Sequence, residues 1–382
     1  MPAPLKVELI APDALDAGLI ARWHLLVDGN PDLVSPYFQP EFTQVAGAVT
    51  PGAQVAVMHR GGEIVGFFPH QRRGGAVQPL AAPLNDYHGV IALPDAGLGL
   101  EQVAELLKAP RLSVGGWVGA AAGGEVQSTV QAALPDGYEA WYAERRGTFG
   151  KYFKDKERAR RSLEAELGPI RVESGLTDPD LLDHLIGLKR EQYRRTGRHD
   201  VFACGWTRDV LHALMRDPRG RFGASMAALW GGDRLAALEV SLHGTDQWHF
   251  WFPAYEPSLA RCSPGILLSL DTMRLASGNG WRVFDYGFQG EGYKKYFCNA
   301  ERRIVEATVV RPGLARSVSR AAVGLLNVTG EGRGQRLSAS VRRRWAAIEA
   351  CEVTAGARLR GALSAARAAA AKLSPDPAAA RP

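Results

Sequence analysis

The chain has 382 residues, 46% of them hydrophobic, including nine Trp, thirteen Phe and ten Tyr, which is more than one ordinary core uses, so two domains and a tail are expected. The formal charge of +6 sits unevenly: residues 313–382 carry twelve Lys and Arg against four Asp and Glu. The remainder is slightly acidic, which excludes a general case for binding DNA through the globular part.

Four dispersed cysteines with no CxxC pair exclude a zinc ribbon by spacing and fit reduced thiols in a cytoplasmic protein. The first residues lack the apolar region of a signal peptide, and no stretch approaches the ~18 apolar residues that span a bilayer. A cytoplasmic location is therefore the expectation.

In chain order, residues 7–10 form a strand candidate, and Asp13 is placed to cap an amphipathic helix reaching Val27. A shorter helix is expected over 40–49. Strands at 54–59 and 63–69 flank Arg60-Gly61-Gly62, which reads as a hairpin turn. An extended segment leads to Asn85-Asp86-Tyr87-His88. A helix at 101–108 and strands at 111–114 and 125–133 follow. Between Arg145 and Arg161 eight Lys and Arg crowd beside Asp155 and Glu157, and the domain boundary is set near 165.

The second half begins with a strand at 170–173. Asp178-Pro179 opens a helix to Tyr193, and Thr207 is expected to cap another to Met215. Strands at 221–230 and 234–242 surround Gly231-Gly232-Asp233. Trp248, Phe250 and Phe252 then alternate with His249, Trp251 and Pro253, the period of a strand. A loop carrying Arg261 ends in Ser263-Pro264-Gly265, where Ser263 suits an N-cap and Pro264 the first helical position. That helix stops at Ser277-Gly278-Asn279-Gly280. A strand at 281–287, a basic-aromatic helix at 293–297 and a strand at 302–311 complete the half. This β-α-α-β-β-β-α-β-α-β order repeats that of the first half and predicts an α+β fold with a mixed sheet.

Several residues are candidates for chemistry. Arg261 and the helix start at Ser263–Gly265 can seat a pyrophosphate, because first-turn amides and the helix dipole favour an anion; any helix opened this way has the same features. Asp285, near a strand end, can act as a base with a pKa raised by partial burial, or can instead pair with Lys294 or Arg282. Glu239 is either catalytic or a strand residue facing solvent. Asp86, Tyr87 and His88 can line an acceptor cleft, although an Asx turn explains them as well. His243 and His249 read as turn and packing residues. No HExxH or similar arrangement occurs, so no metal is expected. The basic 145–161 segment is a solvated face, a bracket for an acidic substrate or a tRNA contact, with tRNA the least supported because base-reading signals are absent.

The segments Phe252-Pro253-Ala254-Tyr255-Glu256-Pro257, Ser263-Pro264-Gly265, Phe284-Asp285-Tyr286-Gly287 and Tyr293-Lys294-Lys295-Tyr296-Phe297 resemble the GNAT acyltransferase superfamily. Within it they look most like the cellulose-biosynthesis-associated CelD-type branch, which shares a doubled GNAT architecture with Fem peptidyltransferases. The resemblance covers residues 5–311. It implies two tandem GNAT-like domains: 1–165, degenerate and on the acceptor side, and 166–312, holding an acyl-CoA site. The basic Ala/Arg-rich tail, 313–382, lies outside it.

The implied activity is transfer of an acyl group, acetyl first among them, from acetyl-CoA or another acyl-CoA to an amine or hydroxyl. The acceptor would be a small molecule or glycan-linked, in polysaccharide or envelope biosynthesis. Tyr293 resembles the general acid that protonates the departing thiolate, and Lys294 can hold an anionic substrate group; packing on an amphipathic helix is the plainer account of both. A Fem-like transferase using aminoacyl-tRNA, or a non-catalytic accessory protein of a glycan-synthesis complex, are the alternatives. The tail can dock on an anionic surface such as the inner membrane, and a chain ending near Arg311 is expected to fold.

Overall fold

A computed structural model describes residues 3–217, 219–288, 290–311 and 344–363. The first half comprises β1 (Leu5–Ile10), α1 (Ala17–Asp28), α2 (Pro40–Val49), β2 (Ala53–Arg60), β3 (Glu63–Arg73), β4 (Ala76–Pro79), α3 (Leu100–Leu106), β5 (Arg111–Trp117) and β6 (Glu125–Ala133). Two helices, α4 (Tyr138–Thr148) and α5 (Gly150–Leu167), connect it to the second. There follow β7 (Ile170–Leu176), α6 (Pro179–Thr196), α7 (Trp206–Arg216), β8 (Gly223–Gly231), β9 (Arg234–His243) and β10 (Gln247–Tyr255). The half ends with α8 (Pro264–Gly278), β11 (Val283–Phe288), α9 (Lys294–Phe297) and β12 (Ala300–Val310).

The α+β expectation holds, and the second half has the predicted element order. All twelve strands form one sheet, ordered β1-β2-β3-β4-β5-β12-β6-β11-β10-β9-β8-β7. Pairing is antiparallel except at β4/β5 and β10/β11. The parallel junction thus falls at the same place in each half. The last strand of each half is exchanged: β6 pairs with β11 and β12, while β12 also pairs with β5. A cut at residue 165 would leave these ladders crossing it.

Helices cover both faces. On one face α1, α2, α6 and α7 share a single core that includes Trp23, Phe42, Leu185 and Leu211. On the other, α3 packs over the first half, and α4, α5 and α8 cover the second.

Three helix starts differ from those the local sequence predicts. The cap of α1 is Asp16, whose Oδ1 accepts from the Leu19 amide at 2.8 Å; Asp13 lies in a short 3-10 turn before it. Helix α7 begins one residue before Thr207, after Gly205 at φ +83°. The Thr207 hydroxyl donates back to the Val201 carbonyl at 2.6 Å and caps nothing. Ser263 is left-handed (φ +51°, ψ +46°) and makes no side-chain cap, because a 3-10 turn from Pro257 to Cys262 runs directly into the helix.

The tail also needs correction where it is described. Residues 344–351 are helical, and Ile348 and Cys351 are buried. Glu349 pairs with Arg111 of β5, the Ala350 carbonyl accepts from Arg73 Nε at 3.0 Å, and the Cys351 carbonyl accepts from Trp206 Nε1 at 3.0 Å. This part is packed structure, not a free basic arm. The expected disorder at Ser374–Pro377 lies outside the described residues.

Candidate active site

Strands β10 and β11 run side by side only over Gln247–His249 and Val283–Asp285. Beyond that point β10 stays with β9, through a bulge at Phe250–Phe252, while β11 stays with β6 through a bulge between Asp285 and Phe288. The sheet therefore splits into a slot just past the His249–Asp285 pair, inside the second half. Chemistry gathers on both sides of it.

On the face shared with α1, α2, α6 and α7 lies Asp285, fully buried. Its Oδ2 accepts from the Tyr87 hydroxyl at 2.6 Å, Gln247 Nε2 at 2.6 Å and Gln131 Nε2 at 2.9 Å. Its Oδ1 accepts from the Gly287 amide at 2.6 Å and lies 3.3 Å from His249 Nδ1. Gly287 at φ +67° makes that return possible, and a Cβ there would meet Asp86 Oδ2 at 3.4 Å. His249 Nε2 lies 3.2 Å from Asp86 Oδ2, so one buried imidazole bridges two carboxylates. The rings of Tyr37 and Tyr87 stand edge-on to it, 5.3 and 6.0 Å away.

Burial opposes charge on this ring, but the bonds and fields of Asp285 and Asp86 outweigh it and raise His249 to about 9. Burial likewise pushes Asp285 up, yet the His249 bond and charge, with Gln131 and Tyr87, hold it below its ordinary range. The expectation of a raised pKa at Asp285 is corrected: a lone buried carboxyl becomes a base, whereas one with five donors stays ionised. It is a poor proton acceptor and a strong anchor. His249, set aside as packing, is the residue the sequence reading missed. Its signal was a His in the middle of an aromatic strand, which alternation alone cannot separate from a core residue.

The other candidates fall on the α8 face, since Tyr286 follows Asp285 in its strand and points the opposite way. Glu239 is buried, with Oε1 unpartnered among the described residues. Burial raises it to about 8, and its neighbour Thr272 only partly offsets this. It does not face solvent. Tyr293 is pushed up by burial, then by the fields of Glu291 and Glu239, so its phenol stays protonated. Tyr286 stands 6.3 Å from the Tyr293 ring and shares a 3.1 Å bond with Ser269. Lys294 is committed within the chain: its Nζ donates to the Tyr286 and Phe288 carbonyls at 2.7 and 2.6 Å and pairs with Glu291 at 2.7 Å. It ties down the end of β11 instead of holding a substrate anion. The proposed catalytic four, Asp285, Glu239, Tyr293 and Lys294, thus lie on two faces and do not form one constellation.

Of the first-half residues, Asp86 and Tyr87 reach the cluster. His88 does not: its backbone is bonded to Gly116 and Val118, and burial lowers it to about 3. Gly116 is required there, since a Cβ would lie 2.0 Å from the Asp86 carbonyl oxygen. On α6, Lys189 Nζ donates to the Pro253 carbonyl at 3.2 Å, and burial, helped by Arg198, lowers it to about 8.

At the α8 start, Arg261 is exposed and pairs with Glu166 at 2.6 Å. Ser263 Oγ accepts from Lys156 Nζ at 2.9 Å. The basic 145–161 segment therefore supplies a cation to this helix terminus. Gly265 has room for a Cβ, 3.6 Å from Tyr255, so close approach does not explain it. Much of the rest of the segment is structural. Arg145 donates to the Lys295, Tyr296 and Cys298 carbonyls, Arg146 pairs with Glu157 and Arg160 with Asp271. No helix among the described residues is long and apolar enough to cross a membrane.

Comparison with known families matches residues 150–295 to an Acetyltransferase (GNAT) domain. The matched stretch contains the slot, the α8 start and Tyr293. Over this stretch, less than half of the chain, the sequence is similar to GNAT-type acetyltransferase domains. No curated protein matches the chain. Solved structures with a similar path include FemX (10% identity, 79% of this chain and 97% of that one, TM-score 0.48). Another is a tandem GNAT protein from the clavulanic acid biosynthesis pathway (13%, 81% and 100%, TM-score 0.44). A third is the C-terminal domain of a protein designated a lysylphosphatidylglycerol synthetase from Agrobacterium fabrum (12%, 79% and 97%, TM-score 0.43). At such values the likeness concerns the path of the chain and says nothing of substrate.

Proposed function

We propose that the chain is an acyltransferase that moves an acyl group, acetyl first among them, from acyl-CoA directly to an amine or hydroxyl acceptor. The carrying observation is that the matched GNAT domain contains both the β10/β11 slot and the cationic start of α8. Acyl-CoA would supply the activated thioester. Lys156 and Arg261, beside the first turn of α8, would hold its phosphates; to do so, Arg261 must exchange Glu166 for a phosphate oxygen, which its exposure allows. Tyr293, kept protonated by burial, is the group suited to give a proton to the departing thiolate. Glu239, at about 8, is the better candidate for taking one up. The His249–Asp285 pair keeps the slot's apex rigid, and Asp86 faces the acceptor side.

The acceptor is proposed to be a small or glycan-linked amine or hydroxyl compound, in the manner of the CelD-type branch, in the cytoplasm or at its membrane face. Acetyl-CoA at a hundred times its Kd should stabilise the protein by about 2.7 kcal/mol, and Lys156→Ala should weaken that effect without unfolding the chain. Thiol release with a panel of amines and sugars then reports transfer. Absence of any thermal shift with acetyl-CoA and longer acyl-CoAs at millimolar concentration rules the reading out.

A further inference from the structure

Apart from the slot, the chain brings together two cysteines 147 positions apart. Cys204 lies in the turn before α7, and Cys351 ends the helical 344–351 segment. Both sulfurs reach one acceptor, the Val201 carbonyl, at 3.3 and 3.8 Å, which sets the two thiols beside each other. The backbone on each side is fixed by Trp206 Nε1, which donates to the Cys351 carbonyl at 3.0 Å. Arg73 is buried beside them, its guanidinium 5.3 Å from the Trp206 ring centroid. Its Nε and Nη1 donate to carbonyls, but Nη2 has no hydrogen-bond partner among the described residues. A buried cation with an unused donor, placed beside two thiols, favours a thiolate.

We propose that Cys204 and Cys351 are a peroxide-responsive dithiol that closes to a disulfide and staples residues 344–351 to the body of the protein. The two thiols are unequal in the way such chemistry requires. Cys204 is half-buried. The Cys351 thiol beside it is the main cause that brings it down to about 7, with Thr207 helping and burial and Glu352 opposing. Cys351 is fully buried and is pushed up by its neighbour Cys204 and by burial. Cys204 is therefore the attacking thiolate. It takes one oxygen from hydrogen peroxide, forming a sulfenic acid and releasing hydroxide. The Cys351 thiol then attacks the Cys204 sulfur, and its proton leaves with the displaced oxygen as water; the hydroxide of the first step takes up the proton that Cys204 lost on ionising. In total two thiols and one peroxide give one disulfide and two waters. The other cysteines are poor competitors: Cys262 is buried, and burial raises Cys298 to about 12.

The test uses the full chain, reduced and then treated with hydrogen peroxide. Intact mass should fall by about 2 Da, non-reducing peptide mapping should link Cys204 to Cys351, and dithiothreitol should reverse both. In Cys351→Ser, Cys204 should stop at a sulfenic acid that dimedone traps. The oxidised wild type should also melt above its reduced form, a shift absent from Cys351→Ser. Mapping on the wild type decides the matter even if a variant folds poorly. Over-oxidised Cys204 without the link, a different cysteine pair, or a link with no rise in melting temperature overturns the proposal.

Discussion

Replacing Asp285 by Asn preserves shape and removes the charge that five donors converge on. An amide offers one acceptor oxygen. If it takes the Oδ2 position, its NH2 faces the Gly287 amide and His249; if turned, it faces Tyr87, Gln131 and Gln247. Either way buried donors lose their acceptor, and His249 keeps Asp86 alone. Breaking one side of a buried ion pair costs about 3–5 kcal/mol, a large share of the stability of a single domain.

The pH dependence gives a sharper signature than the magnitude. His249 is raised to about 9 in the fold from an ordinary value near ~6.5. Its contribution is full below the unfolded value and falls by about 1.4 kcal/mol per pH unit as pH rises toward 9. Asp285 is lowered, so its contribution is present above the ordinary aspartate value and lost as pH falls through the folded one. The pair therefore stabilises most between about 4 and 6.5. Urea unfolding of wild type and Asp285→Asn at several pH values from 5 to 9 isolates the pair, because Glu239, Lys189 and Cys204, which titrate in the same window, are common to both. The variant should have a lower midpoint at pH 6 and a flatter decline above it. An unchanged midpoint at pH 6, or an identical decline, refutes the reasoning.

Glu239→Gln should act in the opposite sense. The carboxyl is raised to about 8, so the unfolded chain ionises first and wild-type stability falls between about 4.5 and 8; the variant should match wild type near pH 4.5 and exceed it at pH 8 in urea unfolding. Gly116→Ala places a methyl 2.0 Å from the Asp86 carbonyl oxygen and should cost about 2 kcal/mol or more, read as a lower melting temperature. A chain ending at Arg311 leaves the buried Arg73 without the Ala350 carbonyl and Arg111 without Glu349; it should melt below the full chain. Tyr293→Phe keeps the ring packing, so turnover should fall while acetyl-CoA binding and melting temperature hold.

What the sequence disclosed follows from how far each signal reaches. Turn and cap residues act over three or four positions, so the 60–62 hairpin and the Asp178-Pro179 helix start were legible, and so was the order of elements. Partners of exchanged strands were not. The alternation in Glu125–Ala133 says which side chains share a face, but nothing in it says that this strand separates β11 from β12. Ser263-Pro264-Gly265 carried the right residues for a cap, yet the preceding 3-10 turn sets the Ser263 backbone, and only the fold showed Lys156 arriving there from the basic segment. In the tail, Ala and Arg composition hid Ile348, Glu349 and Cys351, too few to make a pattern.

The misjudged sign at Asp285 has the same origin. A carboxylate at a strand end is visible in the sequence; whether burial neutralises it or donors keep it ionised depends on Tyr87, Gln131, Gln247 and His249, which arrive from three other segments. Two of those donors belong to the first half and two to the second. The carboxylate thus joins the halves at the apex of the slot, and the strand exchange through β6 is what brings Gln131 within reach. A second-half domain produced alone would keep the slot's α8 face, with Tyr293 and Glu239, but would lose Tyr87, Gln131 and Asp86 from the other. It would then hold a buried carboxylate with three of its five donors and an imidazole with one carboxylate fewer. The first half is therefore required to build the site, whatever it contributes to binding the acceptor.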